Sequence, residues 1–518
     1  MLWKTLAALA LSVSLSAQDE MARARKISAE SIGIDSHIDT IQRVLIGGAD
    51  LSRRLPYGHV DFPRLHEGGM KAPFFALWCP VYYKGAEAVR RTLQLRDAMQ
   101  NVLDAHKDQI ELATSAADIE RIVKSGRIAA FLTIEGGHQI DDDLAVLRMY
   151  YRMGIRSMTL SHFRNNNWAD SSTDTPRHNG LTDFGKNVVR EMNRLGMLVD
   201  VSHVSDKTFY DAIAVSTKPV ILSHSSCRAL SDVPRNVTDD MLRALAKNGG
   251  VIGINFGEGF ISQKDAQALR AAVAGASKAP DLTGKALDDY AAREYHEELG
   301  ISRKAFATID DVVSHIDHAV KIAGIDHVGV GSDFDGITAP PQGLEDVSKM
   351  TSLVAALLRH GYSETDLKKI LGGNYLRVIR RQLKSTLSRS TSTPLRPVPG
   401  HRPYLLARAF RLELVGKVIE ELDRESATHP ILLSASAGFP DHRGVPAARR
   451  RGGEPSCSRR APLLFCAPVH GLAGCEGARD RDGFVLLAPR PRKAPHSNQH
   501  PLCYRRGLES GGAHRGIG

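Results

Sequence analysis

A chain of 518 residues, 42% hydrophobic and 24% charged, with 45 Gly, 24 Pro and six Cys, has an ordinary globular composition, neither collagen-like nor disulfide-dense. The formal net charge of +10 sits at one end: residues 391–518 hold 18 Arg and two Lys against 11 acidic residues, leaving 48 basic and 47 acidic residues in the first 390. With so nearly neutral a body, nucleic-acid binding loses its electrostatic motive, and no nucleic-acid partner is expected.

The chain opens MLWKTLAALALSVSLSAQDE, with Lys4 ahead of an apolar run from Leu6 to Leu15 and small residues Ser16 and Ala17 before Gln18. This reads as a signal peptide over residues 1–17, too short for the roughly 20 apolar residues of a stable bilayer span. No later segment is long and apolar enough to replace it. The expectation is an exported protein, periplasmic or secreted, with no transmembrane span.

Residues 31–380 then alternate short apolar runs with longer amphipathic stretches, the order of a parallel sheet covered by helices. Eight strands are expected, at residues 31–39, 72–82, 128–135, 157–162, 198–203, 219–224, 251–256 and 327–333. Helical patterns such as TDFGKNVVREMNRLG lie between them, the last ended by Gly196. Eight such alternations without GxGxxG or Walker sequences predict an α/β fold, a closed (β/α)8 TIM barrel, over residues 18–385. The stretch 257–308 is too long for a simple crossover and reads as a partly helical insertion after strand 7 that walls or lids the site. From residue 386 the character changes, with 14 of the 24 prolines and most of the excess arginine. That tail is expected to be disordered, or to come from an out-of-frame reading. The six cysteines show no metal-ribbon spacing and predict no cysteine chemistry.

The chemistry-bearing residues fall at strand ends. Side chains two apart in a strand share a face, and at the C-terminal end of a barrel strand the inward face opens into the site. His37 and Asp39 have this spacing. So do the rows Phe131, Thr133, Glu135; Met158, Leu160, His162; Val199, Val201, His203; Val220, Leu222, His224; and Gly329, Gly331, Asp333. Seven ionisable side chains are thus expected at one mouth, where burial without a compensating ion would be costly. Imidazoles and carboxylates without thiolates suit Zn²⁺ or a similar divalent ion, and their number suggests two.

The stretches IDSHIDT, HVDFPRLHEGGM, TIEGGHQI, MTLSHFRNNNWADS, LVDVSHVS, PVILSHSSCRAL, RNVTDDML and HVGVGSDFDG carry a resemblance. In order and spacing the chain resembles the membrane dipeptidase (renal dipeptidase) family of zinc peptidases, within the amidohydrolase-like barrels. The resemblance implies two Zn²⁺, one on His37 and Asp39, the other on His203 and His224, bridged by Glu135. It further implies hydrolysis of dipeptides by a hydroxide shared between the ions. Asp333 is the implied proton carrier, with Asp335 as the alternative. His162 is implied to stabilise the oxyanion and Arg235 to hold the substrate's free carboxylate. A homodimer belongs to the same implication. Related metal barrels act instead as deaminases, lactonases or phosphotriesterases, often with a modified lysine where this chain offers Glu135.

Overall fold

The computed structural model describes residues 18–273, 281–299 and 305–383; the expected signal peptide over 1–17 and the Arg- and Pro-rich tail from 386 lie outside them. Eight strands run parallel: β1 (Phe74–Trp78), β2 (Ile110–Leu112), β3 (Ile128–Glu135), β4 (Ile155–Thr159), β5 (Leu198–Asp200), β6 (Ile221–Ser225), β7 (Val251–Ile254) and β8 (Val328–Val330). Seven of them pair in sequence order, while β2 leans on the start of β3 outside the ring. Residues 33–39 close the circle: Asp35 and Ile38 bridge to Val330 and Phe334 on one side, and Ile38 bridges to Phe75 on the other. The ring therefore has eight staves, each matching a strand expected from the sequence, and it is the closed barrel. β2 was not expected; three residues long, it gives little periodic signal.

The covering helices form where the sequence supplies both a buried stripe and a stop. Asp183–Leu195 buries Val188, Val189 and Met192, starts on Thr182, whose side chain accepts from the Gly185 amide, and ends at left-handed Gly196. Ser205 and Thr238 cap the next two helices in the same way. Residues 18–30 are also helical, an element the sequence reading did not place.

Inside the cylinder, Phe74, Phe131, Leu198, Ile221 and Val251 form one apolar cluster with Tyr375, Val378 and Ile379 of the helix Asn374–Leu383. The rings of Phe74 and Phe131 stack at 4.3 Å, and Tyr375 lies edge-on to Phe74 at 5.8 Å. Gly329 permits this plug, since a Cβ there would stand 2.5 Å from the Tyr375 ring. The base of the barrel is therefore packed shut, which leaves the opposite end for chemistry.

The insertion after β7 contributes Glu258–Ile261, Gln263–Val273 and Gly284–Leu299. The last of these is latched to the helix Ala86–Ala105: Arg90 grips Asp288 through two bonds of 2.7 and 3.0 Å, Tyr83 donates to the same carboxylate at 2.9 Å, and Leu287 and Ala291 pack on Cys79, Tyr83 and Ala88. Among the described residues no helix is long and apolar enough to cross a membrane.

Candidate metal centre

The predicted residues converge, but strand alternation alone does not aim them. Thr159, Asp200 and Ser223 point into the barrel, joined by hydrogen bonds from Thr159 Oγ1 and Ser223 Oγ to Asp200 Oδ2. Met158, Leu160, Val199, Val201 and Leu222 belong instead to the layer between sheet and helices. His162, His203 and His224 therefore do not close inward rows. β4 and β5 end before His162 and His203, and His203 adopts φ 65°. In β6 the register shifts between Leu222 and Ser225, the kind of bulge that re-aims a side chain. The first stave breaks step as well, bridging at Gly33, Asp35 and then Ile38, so that one extra residue turns His37 and Asp39 into the mouth. Glu135 ends an inward row as expected, after Phe131 and Thr133.

Glu135 stands at the centre. Its Oε1 lies 2.9 Å from His203 Nε2, 3.1 Å from His224 Nε2 and 3.6 Å from His162 Nε2, while Oε2 lies 3.3 Å from His37 Nε2. His37 Nε2 is also 3.4 Å from Asp39 Oδ2, and the Nε2 atoms of His203 and His224 approach to 2.8 Å. Potential ligand atoms gather in three overlapping groups: His37, Glu135 and His224; Glu135, His162 and His203; His37, Asp39 and Asp333.

Burial pushes His203 and His224 well below the ordinary histidine value, with Arg235 adding to the effect, and pushes His162 down to about 4. These rings are neutral and offer lone pairs. Burial alone would lower His37 too, but Glu135 and Asp39 raise it well above the ordinary value. The spot between His37 and the two carboxylates therefore favours positive charge. His37 Nδ1 and Nε2, Asp39 Oδ1, His162 Nδ1 and His203 Nδ1 are buried without hydrogen-bond partners. Nitrogen and carboxylate oxygen donors, lone pairs facing one another and no thiolate fit divalent cations of the zinc kind. Both described cysteines lie elsewhere, buried, their thiols pushed up by desolvation.

A second layer orients one of these rings, and the sequence reading missed it. Asp200 accepts from Thr159 Oγ1 (2.7 Å), Ser223 Oγ (2.5 Å) and the amides of Ser202 and Ser223 (3.0 Å each). A carboxylate only accepts, so Ser223 spends its single proton there and must itself accept from His224 Nδ1, 2.7 Å away. That fixes the tautomer in which His224 Nε2 presents its lone pair to the centre. Ser223→Ala is expected to weaken divalent-ion affinity about 10- to 100-fold with the fold intact, as read by competition with a chromophoric chelator.

Of the two aspartates after β8, Asp333 is the open one. Asn255 Nδ2 donates to its Oδ2 at 3.0 Å, and burial, with Asp39 and Glu135 adding, raises its carboxyl well above the usual range. Asp335 is occupied: Arg43 pairs with it at 3.0 Å, Thr40 Oγ1 donates at 2.7 Å and the His59 amide at 2.6 Å. Against the cost of burial, Arg43 and His59 hold Asp335 below the ordinary carboxylate value. Its stabilising contribution is thus complete above the ordinary carboxylate value and lost as pH falls through the depressed one. Both partners being buried, Arg43→Met is expected to destabilise the protein by about 3–5 kcal/mol at neutral pH, measurable by urea unfolding.

Arg235, buried at 4% exposure, donates to Ser225 Oγ (2.8 Å) and the His224 carbonyl (2.7 Å), with Nε unpartnered and the Phe260 ring 5.5 Å away. Burial lowers it to about 10. It stands beside the cavity, on whose wall Phe260 lies. That cavity, about 350 Å³, is lined by Asp39, Glu135, His162, His203 and Asp333, with Tyr295 of the inserted helix on its wall. The insertion does wall the site.

Comparison with known proteins agrees along the barrel. The family model of the membrane dipeptidases (peptidase family M19) matches residues 21–391. Dipeptidase tcpJ of Claviceps purpurea (strain 20.1) is 39% identical over 335 residues, 62% of this chain and 69% of that relative. Dipeptidase verJ of Clonostachys rogersoniana is 33% identical over 378 residues, covering 70% of this chain and 87% of its own. Among solved structures, the probable dipeptidase PvdM from Pseudomonas aeruginosa is similar with a TM-score of 0.61 at 27% identity, over 71% of this chain and 99% of that one.

Proposed function

The chain belongs to the membrane dipeptidase family of metallopeptidases, and from that premise we propose that it is an exported binuclear zinc enzyme that hydrolyses dipeptides at the mouth of its barrel. The observation that carries the reading is the meeting of four imidazoles on the two oxygens of Glu135. His37 and Asp39 would hold one ion, His203 and His224 the other, and Glu135 would serve both, since each carboxylate oxygen has lone pairs to offer. Such a pair supplies Lewis acidity toward the scissile carbonyl and makes water nucleophilic near neutral pH.

The remaining steps fall to side chains. Asp333, raised by burial and held at Oδ2 by Asn255, keeps Oδ1 for the proton of the attacking water and returns it to the leaving amine. His162, neutral and beside Glu135, is placed to donate one N–H to the oxyanion that develops on the carbonyl. Arg235, with its Nε unused, is the candidate for the substrate's free carboxylate. Asp335, engaged by three donors, is the poorer candidate for proton carrier. The walled cavity favours short peptides. Export rests on the N-terminal apolar run, and a homodimer on the family resemblance.

Metal analysis tests the reading directly. Two zinc ions per chain are expected, with dipeptide cleavage abolished by a chelator and restored by zinc. A lactone and a phosphotriester serve as controls, and release of amino acids from no dipeptide would sink the proposal.

A further inference from the structure

A second cavity, about 230 Å³, adjoins the first and shares with it Gln42, Trp78, His162, Phe163 and Tyr295. Its own wall is largely apolar, but Arg91 enters it from the helix Ala86–Ala105. Arg91 is 3% exposed. A guanidinium that deep is ordinarily met by a carboxylate, because charge removed from water must be compensated. Among the described residues none lies within ion-pair distance. Nη2 donates to Gln42 Oε1 at 3.1 Å, Nε has no partner, and the group rests over the Tyr83 ring. The neighbouring acids are engaged: Arg90 holds Glu87 and Asp288, and Glu294, on the same wall, accepts from the Tyr290 hydroxyl. One more donor on the wall, Trp78 Nε1, is buried without a partner.

A buried positive charge and an unused indole donor thus line a space that shares His162 with the reaction centre. We propose that this second cavity is a subsite for a carboxylate of the substrate, gripped by the Arg91 guanidinium, with Trp78 donating beside it. The planar fork of arginine suits that group. The carboxylate has two sources: the C-terminus of the dipeptide, in which case Arg91 and not Arg235 receives it, or an acidic side chain. The inference rests on the dipeptidase reading.

Matched substrates distinguish the sources: Ala-Ala against its C-terminal amide, Ala-Glu against Ala-Gln, and Glu-Ala against Gln-Ala. In the metal-loaded full chain, Arg91→Met is expected to collapse one of these preference ratios in kcat/KM by about 10- to 100-fold, mainly through KM, and Arg91→Lys to recover part of it. Collapse of the acid-to-amide ratio assigns the terminus, and collapse of a Glu-to-Gln ratio assigns the side chain. If all substrates decline equally, or none does, Arg91 only supports Gln42 and Tyr83 and the subsite is overturned. Should Arg91→Met not fold, Arg91→Lys and Trp78→Phe are judged by the same ratios. If the wild type cleaves none of these peptides, the dipeptidase reading fails. Calorimetric binding of the same peptides, lost or retained in Arg91→Met, then still decides the subsite.

Discussion

Glu135→Gln is expected to lower kcat/KM for dipeptides by about a thousandfold or more and to strip the protein of divalent metal on dialysis, with little change in secondary structure. The amide has nearly the shape of the carboxylate but carries no charge, and one of its two ends is a donor. That end would face either His37 Nε2 or the paired Nε2 atoms of His203 and His224. Glu135 is itself held well below the ordinary value: burial alone would raise it, but the charge of His37, with the other imidazoles around it, outweighs that. Removing its charge removes the reason for the imidazoles to gather. Metal content per chain, measured beside steady-state kinetics, checks this; a variant that keeps its metal and its rate would show that Glu135 is only structural.

Asp333→Asn is expected to act differently, lowering kcat by about 10²- to 10⁴-fold while KM and bound metal change little, because it would remove the proposed proton carrier and leave the proposed imidazole ligands in place. Asn255 can still bond the amide oxygen where it now bonds Oδ2. The pH–rate profile gives a second signature. Asp333 must be ionised to accept a proton, so the wild-type rate should climb as pH rises through the titration of this carboxyl in the metal-loaded enzyme. The ascending limb should vanish in the variant. Loss of metal equal to that in Glu135→Gln would instead make Asp333 a ligand, in keeping with its place beside His37 and Asp39.

The eight staves were legible because each is a short apolar run bounded by turn residues and separated from the next by a helical stripe with its cap. The identities at the mouth were legible as polar residues at strand ends and by family resemblance. What failed was the reason for their direction. Alternation carries Glu135 inward, but His37, His203 and His224 arrive through a broken step, a left-handed residue and a bulge. Such local geometry leaves no periodic trace in the sequence. Asp200 and Ser223 escaped for a related reason: their role lies in which hydrogen each can give, and two polar residues in LVDVSH and PVILSH look alike until Thr159 and His224 are seen around them. Arg91 was hidden in an ordinary amphipathic helix, since no pattern separates a buried guanidinium from a surface one.

The seam between residues 33–39 and β8 joins segments almost 300 residues apart along the chain. Neither can satisfy its backbone groups on that side until the other exists, so a nascent chain halted before Val328 would expose two unpaired sheet edges and an unplugged base. With so much of its pairing at long sequence separation, this protein is expected to acquire its final form late, after synthesis of the last stave and the helix behind it, and slowly by the standard of helical bundles. Partial chains should therefore be sticky and protease-sensitive, and stable fragments of the cylinder should be hard to isolate.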